Sequence, residues 1–100
     1  VERSDNDLLV ASLQDPAAFG EFYRRHARPL AGYFVRRTGR PELAADLTAE
    51  TFAAALQHAR RYDPAKGPAA AWLYGIARRE LADAYERGRV EDRARRRMRI

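Results

Sequence analysis

The sequence predicts an all-α domain, a compact bundle of about four helices. Three observations lead there. No segment alternates polar and apolar residues over a β-branched run. Apolar residues instead recur at steps of three and four. Paired start and stop signals divide the chain into helix-length pieces. The 100 residues make one domain, with a modest core and no visible repeat.

The first helix is expected over about residues 6–14. Ser4 or Asp5 caps it, and Leu8, Leu9 and Leu13 form its apolar face. Asp15-Pro16 starts the second, with Asp as cap and Pro at the first helical position. Phe19, Phe22, Tyr23, His26, Leu30, Tyr33 and Phe34 give that helix one broad apolar stripe. Pro29 lies inside it and predicts a kink; Gly39 predicts its end. Pro41 starts the third helix, expected to reach about Arg60. Leu43, Leu47, Thr51, Ala54 and Ala55 form its apolar side, with Phe52, Leu56 and Ala59 beside them. Glu42, Asp46 and Glu50 recur on another side at steps of four. Like charges at that spacing cost roughly 0.2–0.5 kcal/mol per pair. Either solubility or a basic partner accounts for them.

Tyr62-Asp63-Pro64-Ala65-Lys66-Gly67-Pro68 is the clearest turn. A fourth helix follows from about Pro68 to Arg87, with Trp72, Leu73, Ile76, Ala77, Leu81 and Ala84 on its apolar side. Gly88 weakens or ends it, and Val90 to Ile100 are expected as a frayed basic tail.

Charge is unevenly placed. Residues 1–57 carry 7 arginines against 8 acids; residues 58–100 carry 12 cations against 6 acids. Of the 19 cations only Lys66 is lysine. A guanidinium offers phosphate a planar fork where an ammonium offers a point charge. An anionic partner is therefore expected on the C-terminal half: nucleic acid first, a membrane surface second. A GC-rich genome also favours Arg, but it does not place the charge in one half.

Catalytic signals are weak. His26 falls on the apolar stripe and is expected at the edge of the core; His58 sits near a helix end. No His/Cys/carboxylate set has metal-ligand spacing. Gly67 and Gly88 belong to no phosphate-binding glycine motif. No catalytic residue, metal or cofactor is expected. The chain has no cysteine, no run of about 18 apolar residues and no signal-peptide pattern, which fits a cytoplasmic protein. The start at Val1 and the basic end are expected of a piece of a longer chain.

Around the turn, Arg60, Arg61 and Lys66 flank the loop, Arg78 and Arg79 follow Trp72 by about two turns, and Arg87 extends the basic run. Cations track phosphates, and aromatic faces can hold unstacked bases. The apolar pattern alone places Trp72 in the core, and a basic run alone reads as a solvated face. Together they read as a surface for an anionic polymer.

Three stretches carry a resemblance. These are Asp46-Leu47-Thr48-Ala49-Glu50-Thr51-Phe52, then Arg61-Tyr62-Asp63-Pro64 with Lys66-Gly67, then Ala71-Trp72-Leu73-Tyr74-Gly75-Ile76-Ala77-Arg78. In this order they closely resemble region 2 of bacterial sigma factors, of the extracytoplasmic-function (ECF) type of the sigma-70 family. Ala17-Ala18-Phe19 with Phe22-Tyr23-Arg24-Arg25 resembles the start of that region. The resemblance covers about residues 7–97 of one region 2 domain. The family's −35-reading region 4 domain is absent from these 100 residues.

The resemblance implies a transcription initiation module rather than an enzyme. Asp46, Leu47 and Glu50 would dock on the β′ clamp helices of core RNA polymerase. Arg60, Arg61, Tyr62, Lys66, Trp72, Arg78, Arg79 and Arg87 would meet promoter DNA. There the family captures a flipped base of the non-template strand of the −10 element and helps melt the duplex. It also implies an anti-sigma factor as regulator. The chain departs from the family pattern at Ala49 (usually Gln), Ala69 and Ala70 (usually an aromatic and Arg), Gly75 (often Arg) and Arg79 (usually Asn). A second reading is a helical protein-interaction module held mainly by an anti-sigma regulator. A third is membrane-surface binding by the basic fourth helix.

Overall fold

The structure is a computed structural model that describes residues 2–88. It has four α-helices and, among the described residues, no strand. The expected tail from Val90 to Ile100 lies outside the described residues.

Helix α1 (Asp5–Ala11) begins where the Ser4 side chain accepts the Asp7 N–H at 3.0 Å. It stops three residues short of the expected end. The Ser12 N–H closes on the Leu8 carbonyl and its hydroxyl turns back to Leu9, so Leu13 falls in a turn and stays exposed. Helix α2 (Pro16–Thr38) is capped by Asp15, whose side chain accepts the Ala17 N–H at 3.1 Å. It continues through Pro29 and ends at Gly39, which takes the left-handed φ of 68°. A side chain there would be strained.

Helix α3 (Pro41–Gln57) starts at its proline, as expected, but ends three residues before Arg60. His58 takes its C-terminal cap, and Ala59–Arg61 forms a separate 3-10 turn that buries Ala59. Leu56, expected beside the apolar side, is exposed. A second 3-10 turn, Pro64–Lys66, precedes α4 (Ala69–Glu86).

Helix α2 packs along α3, α3 packs on α4, and α1 closes the bundle against α2 and the start of α4. Phe22, Phe34, Leu9, Leu30, Leu47 and Leu73 are the largest fully buried apolar side chains. Phe52 meets the rings of Phe19, Phe22 and Tyr23 edge-on, the last at 4.8 Å. Such edge-to-face pairs add to the stabilisation from area burial. Thr38, Thr48 and Thr51 are also buried, and each hydroxyl donates to the carbonyl four residues back, at 2.8, 2.7 and 2.7 Å. These three buried hydroxyls thus find partners inside their own helices.

His26 lies at the core edge as expected. Its ring sits 4.7 Å from that of Phe22, and its Nε2 is 3.0 Å from Asp5 Oδ2. Arg25 reaches the same Asp5 at 3.1 Å, so α1 is pinned to α2 by a shared carboxylate.

Candidate functional site

Two faces of opposite charge share this small body. The acidic face lies on α3. Glu42 and Asp46 are exposed, and Glu50 is partly buried. Leu47, read on the apolar side of α3 and assigned to docking beside them by the resemblance, is fully buried. It can support the face from within but offers it no contact.

Glu50 turns toward α4, where its carboxyl hydrogen-bonds that of Glu80. Burial chiefly, then the charges of Glu50 and Asp83, push Glu80 above its usual carboxylate range; Arg87 partly opposes them. The acidic face therefore continues from α3 onto α4. The sequence held no signal for this, because only the packing of α3 on α4 brings Glu50 and Glu80 together.

The basic face is built on the loop. Asp63 caps the second 3-10 turn by accepting the Ala65 N–H at 3.0 Å. Gly67 takes a φ of 147°, outside the range most side chains adopt. Tyr62, expected to face DNA, is 92 % shielded and works as an internal strut. Its hydroxyl donates to the Gly67 carbonyl at 3.0 Å, and its ring lies 5.7 Å from that of Trp72. Burial and the neighbouring Asp63 raise the Tyr62 hydroxyl above its ordinary pKa.

The loop is held at its far end by Asn6. Pro68 occupies the N-cap of α4 and has no side chain that can cap it. Asn6 Oδ1 on α1 takes that role, accepting the Ala69 N–H at 2.8 Å. Sequence reasoning missed Asn6, which stands 63 positions away.

Arg60, Arg61 and Lys66 are exposed on the two 3-10 turns, and Arg78 and Arg79 on α4. Trp72 is partly buried. Trp72 and Arg61 line two adjoining hollows. One, of about 260 Å³, is closed by Tyr62, Asp63, Lys66 and Pro68. The other, of about 200 Å³, is closed by His58, Gly75, Ile76 and Arg79. Both fall below the roughly 300–1,000 Å³ of ordinary small-molecule sites. Arg87 stands apart at the end of α4, on the side of Glu80.

A larger hollow of about 410 Å³ lies at the other end, between the N-terminus and α2. Its charged walls are tied in ion pairs, Arg25 to Glu2 at 3.1 Å and Arg24 to Glu21 at 3.0 Å. Among the described residues no cluster of His, Cys, Asp and Glu is placed to hold a metal. No helix among them is long and apolar enough to cross a membrane.

An acidic helix face, a strutted basic loop and an aromatic-basic helix define a class: a small helical module with two faces of opposite charge. The particular family follows from comparison with known proteins. The Sigma-70 region 2 family model matches residues 22–99. The chain belongs to this family, in its ECF branch.

It is 26 % identical over 91 residues to the ECF RNA polymerase sigma factor RpoE of Cereibacter sphaeroides, covering 88 % of this chain and 50 % of that protein. It is 33 % identical over 82 residues to SigK of Mycobacterium tuberculosis, covering 80 % and 44 %. SigL of the same species is 34 % identical over 73 residues, covering 73 % and 41 %. The chain thus spans about half the length of the curated relatives it matches. No solved structure matches it.

Proposed function

We propose that this domain is a non-enzymatic transcription initiation module acting at the promoter. Its acidic face, Asp46 and Glu50 with Glu42 beside them, docks on a basic helical surface of core RNA polymerase, the β′ clamp helices. Its loop and α4 hold the non-template strand of the −10 element. Arg60, Arg61 and Lys66 meet phosphates, and a base enters a hollow beside Trp72.

The observation that carries this reading is the pair of hollows on Trp72 and Arg61, set in a rigid basic loop at the opposite sign from the α3 face. Taking a base out of the stack costs a few kcal/mol. A loop already fixed by Tyr62, Asp63 and Asn6 loses little further entropy on binding, so more of each contact opposes that cost. An anti-sigma factor would act by covering the same two faces.

Co-purification with core polymerase, followed by binding of a −10 single strand to the eluted complex, tests the reading. Retention of the chain and strand binding that weakens with salt are expected. A chain that is retained but never binds the strand would leave only a protein-interaction module.

A further inference from the structure

We propose that the last turn of α2, packed on α4, is a second DNA contact that grips the phosphodiester backbone beyond the loop. This rests on the promoter-binding reading above. The inference comes from a relay of side chains across two helices. The Arg37 guanidinium lies over the Tyr33 ring, 3.9 Å from its centroid. Tyr33 meets Tyr74 of α4 edge-on at 5.2 Å. Arg78 follows Tyr74 by one helical turn and is exposed. At the end of α4 the Tyr85 hydroxyl donates to the Arg37 carbonyl at 3.2 Å. Arg37 thus stacks on one member of the tyrosine pair, and Arg78 lies one helical turn from the other.

Arg36 extends the strip. It folds back over Gly32, where an added Cβ would stand 3.3 Å from its Nη1. Arg78 lies in the same way beside Gly75, with 3.9 Å to such a Cβ. Among the described residues, Arg36, Arg37 and Arg78 have no carboxylate within 4.0 Å.

Two basic residues at a helix C-terminus also favour its dipole. The dipole does not account for a guanidinium stacked on an aromatic ring, nor for the arginine across the seam on α4. Stacking fixes the direction of the fork and lowers the entropy lost when it binds. It also occupies one face of the Tyr33 ring. Exposed guanidiniums without a carboxylate partner favour an anionic group, and on DNA that group is the phosphate.

The test uses the 100-residue chain at low salt. One oligonucleotide is a −10 single strand; the other is the same strand joined to a duplex arm. Backbone and arginine side-chain NMR signals are followed with each. Signals of Arg61 and Trp72 are expected to move with both, and those of Arg36, Arg37 and Tyr74 to move with at least one. Movement with the fork alone assigns the strip to duplex backbone; movement with both assigns it to the strand. Either result supports the proposal. Arg37→Gln should then lower the salt slope for that oligonucleotide by about 1, while Arg37→Lys, which keeps charge without the fork, falls between.

If Arg61 and Trp72 signals move while Arg36 and Arg37 stay still and R37Q changes nothing, the strip is a solvated helix end. That result overturns the inference and leaves the proposed function standing. If no signal moves with either oligonucleotide, the inference falls for the free chain, and strand binding by the complex with core polymerase decides the proposed function separately.

Discussion

Asn6 on the first helix caps the fourth: its Oδ1 accepts the Ala69 N–H at 2.8 Å. The N-terminal helix therefore fixes the point where the basic loop becomes α4. Removing a capping side chain costs about 1 kcal/mol, within roughly 0.5–2. Asn6→Ala should lower the melting temperature by about 4–8 °C for each kcal/mol lost in a domain of this size. Asn6→Asp, which keeps the acceptor, should recover most of it. Thermal unfolding followed by circular dichroism measures both.

Asp46 is exposed on α3. Asp46→Lys should leave stability within about 0.5 kcal/mol of the parent, as for most surface changes. Retention on immobilised core polymerase should nonetheless drop sharply, and further with Glu50→Lys. Unchanged retention of the folded double variant would remove α3 from the docking surface.

Leu47 sits beside Asp46 in sequence but inside the core. Leu47→Ala should cost about 2–5 kcal/mol through lost burial and the cavity left behind. Polymerase binding should then track the folded fraction and nothing more. A variant that is fully folded yet fails to bind would place Leu47 in contact with the partner after all.

Glu80 supplies a pH signature. Burial and the charges of Glu50 and Asp83, partly opposed by Arg87, raise its folded pKa above the unfolded value. The fold thus favours its protonated form. That stability is fully present below the unfolded pKa and is lost as pH rises through the folded one. Glu80→Gln should therefore melt higher than the parent near neutral pH. The difference should vanish below the ordinary glutamate range, about 4.3. Melting curves at the two pH values test this, and an equal difference at both would refute it.

What the sequence disclosed was local. Asp15-Pro16, Pro41 and Gly39 act on their own neighbours, so three helix boundaries were legible from them. The ends of α1 and α3 were not, because Ser12 and His58 close those helices by backbone contacts that apolar spacing does not encode. The loop cations were legible because they adjoin one another in the chain. Leu47 was legible as part of the apolar side of α3, whereas the burial of Tyr62 was not, since neighbours in sequence divide between surface and core. Asn6 with Ala69, Glu50 with Glu80, and Tyr33 with Tyr74 arise only from packing. No pattern within one helix could have shown them.

Trp72 is the single tryptophan of the chain and lines both hollows beside Arg61. Its fluorescence therefore reports on the place where a base is proposed to enter. The decisive measurement is Trp72 emission during titration with a −10 single strand at low salt. A saturable change that weakens as salt rises, and that is much reduced in Arg61→Ala, is the expected result. Emission that stays constant while the strand demonstrably binds would contradict the assignment of the base to this site.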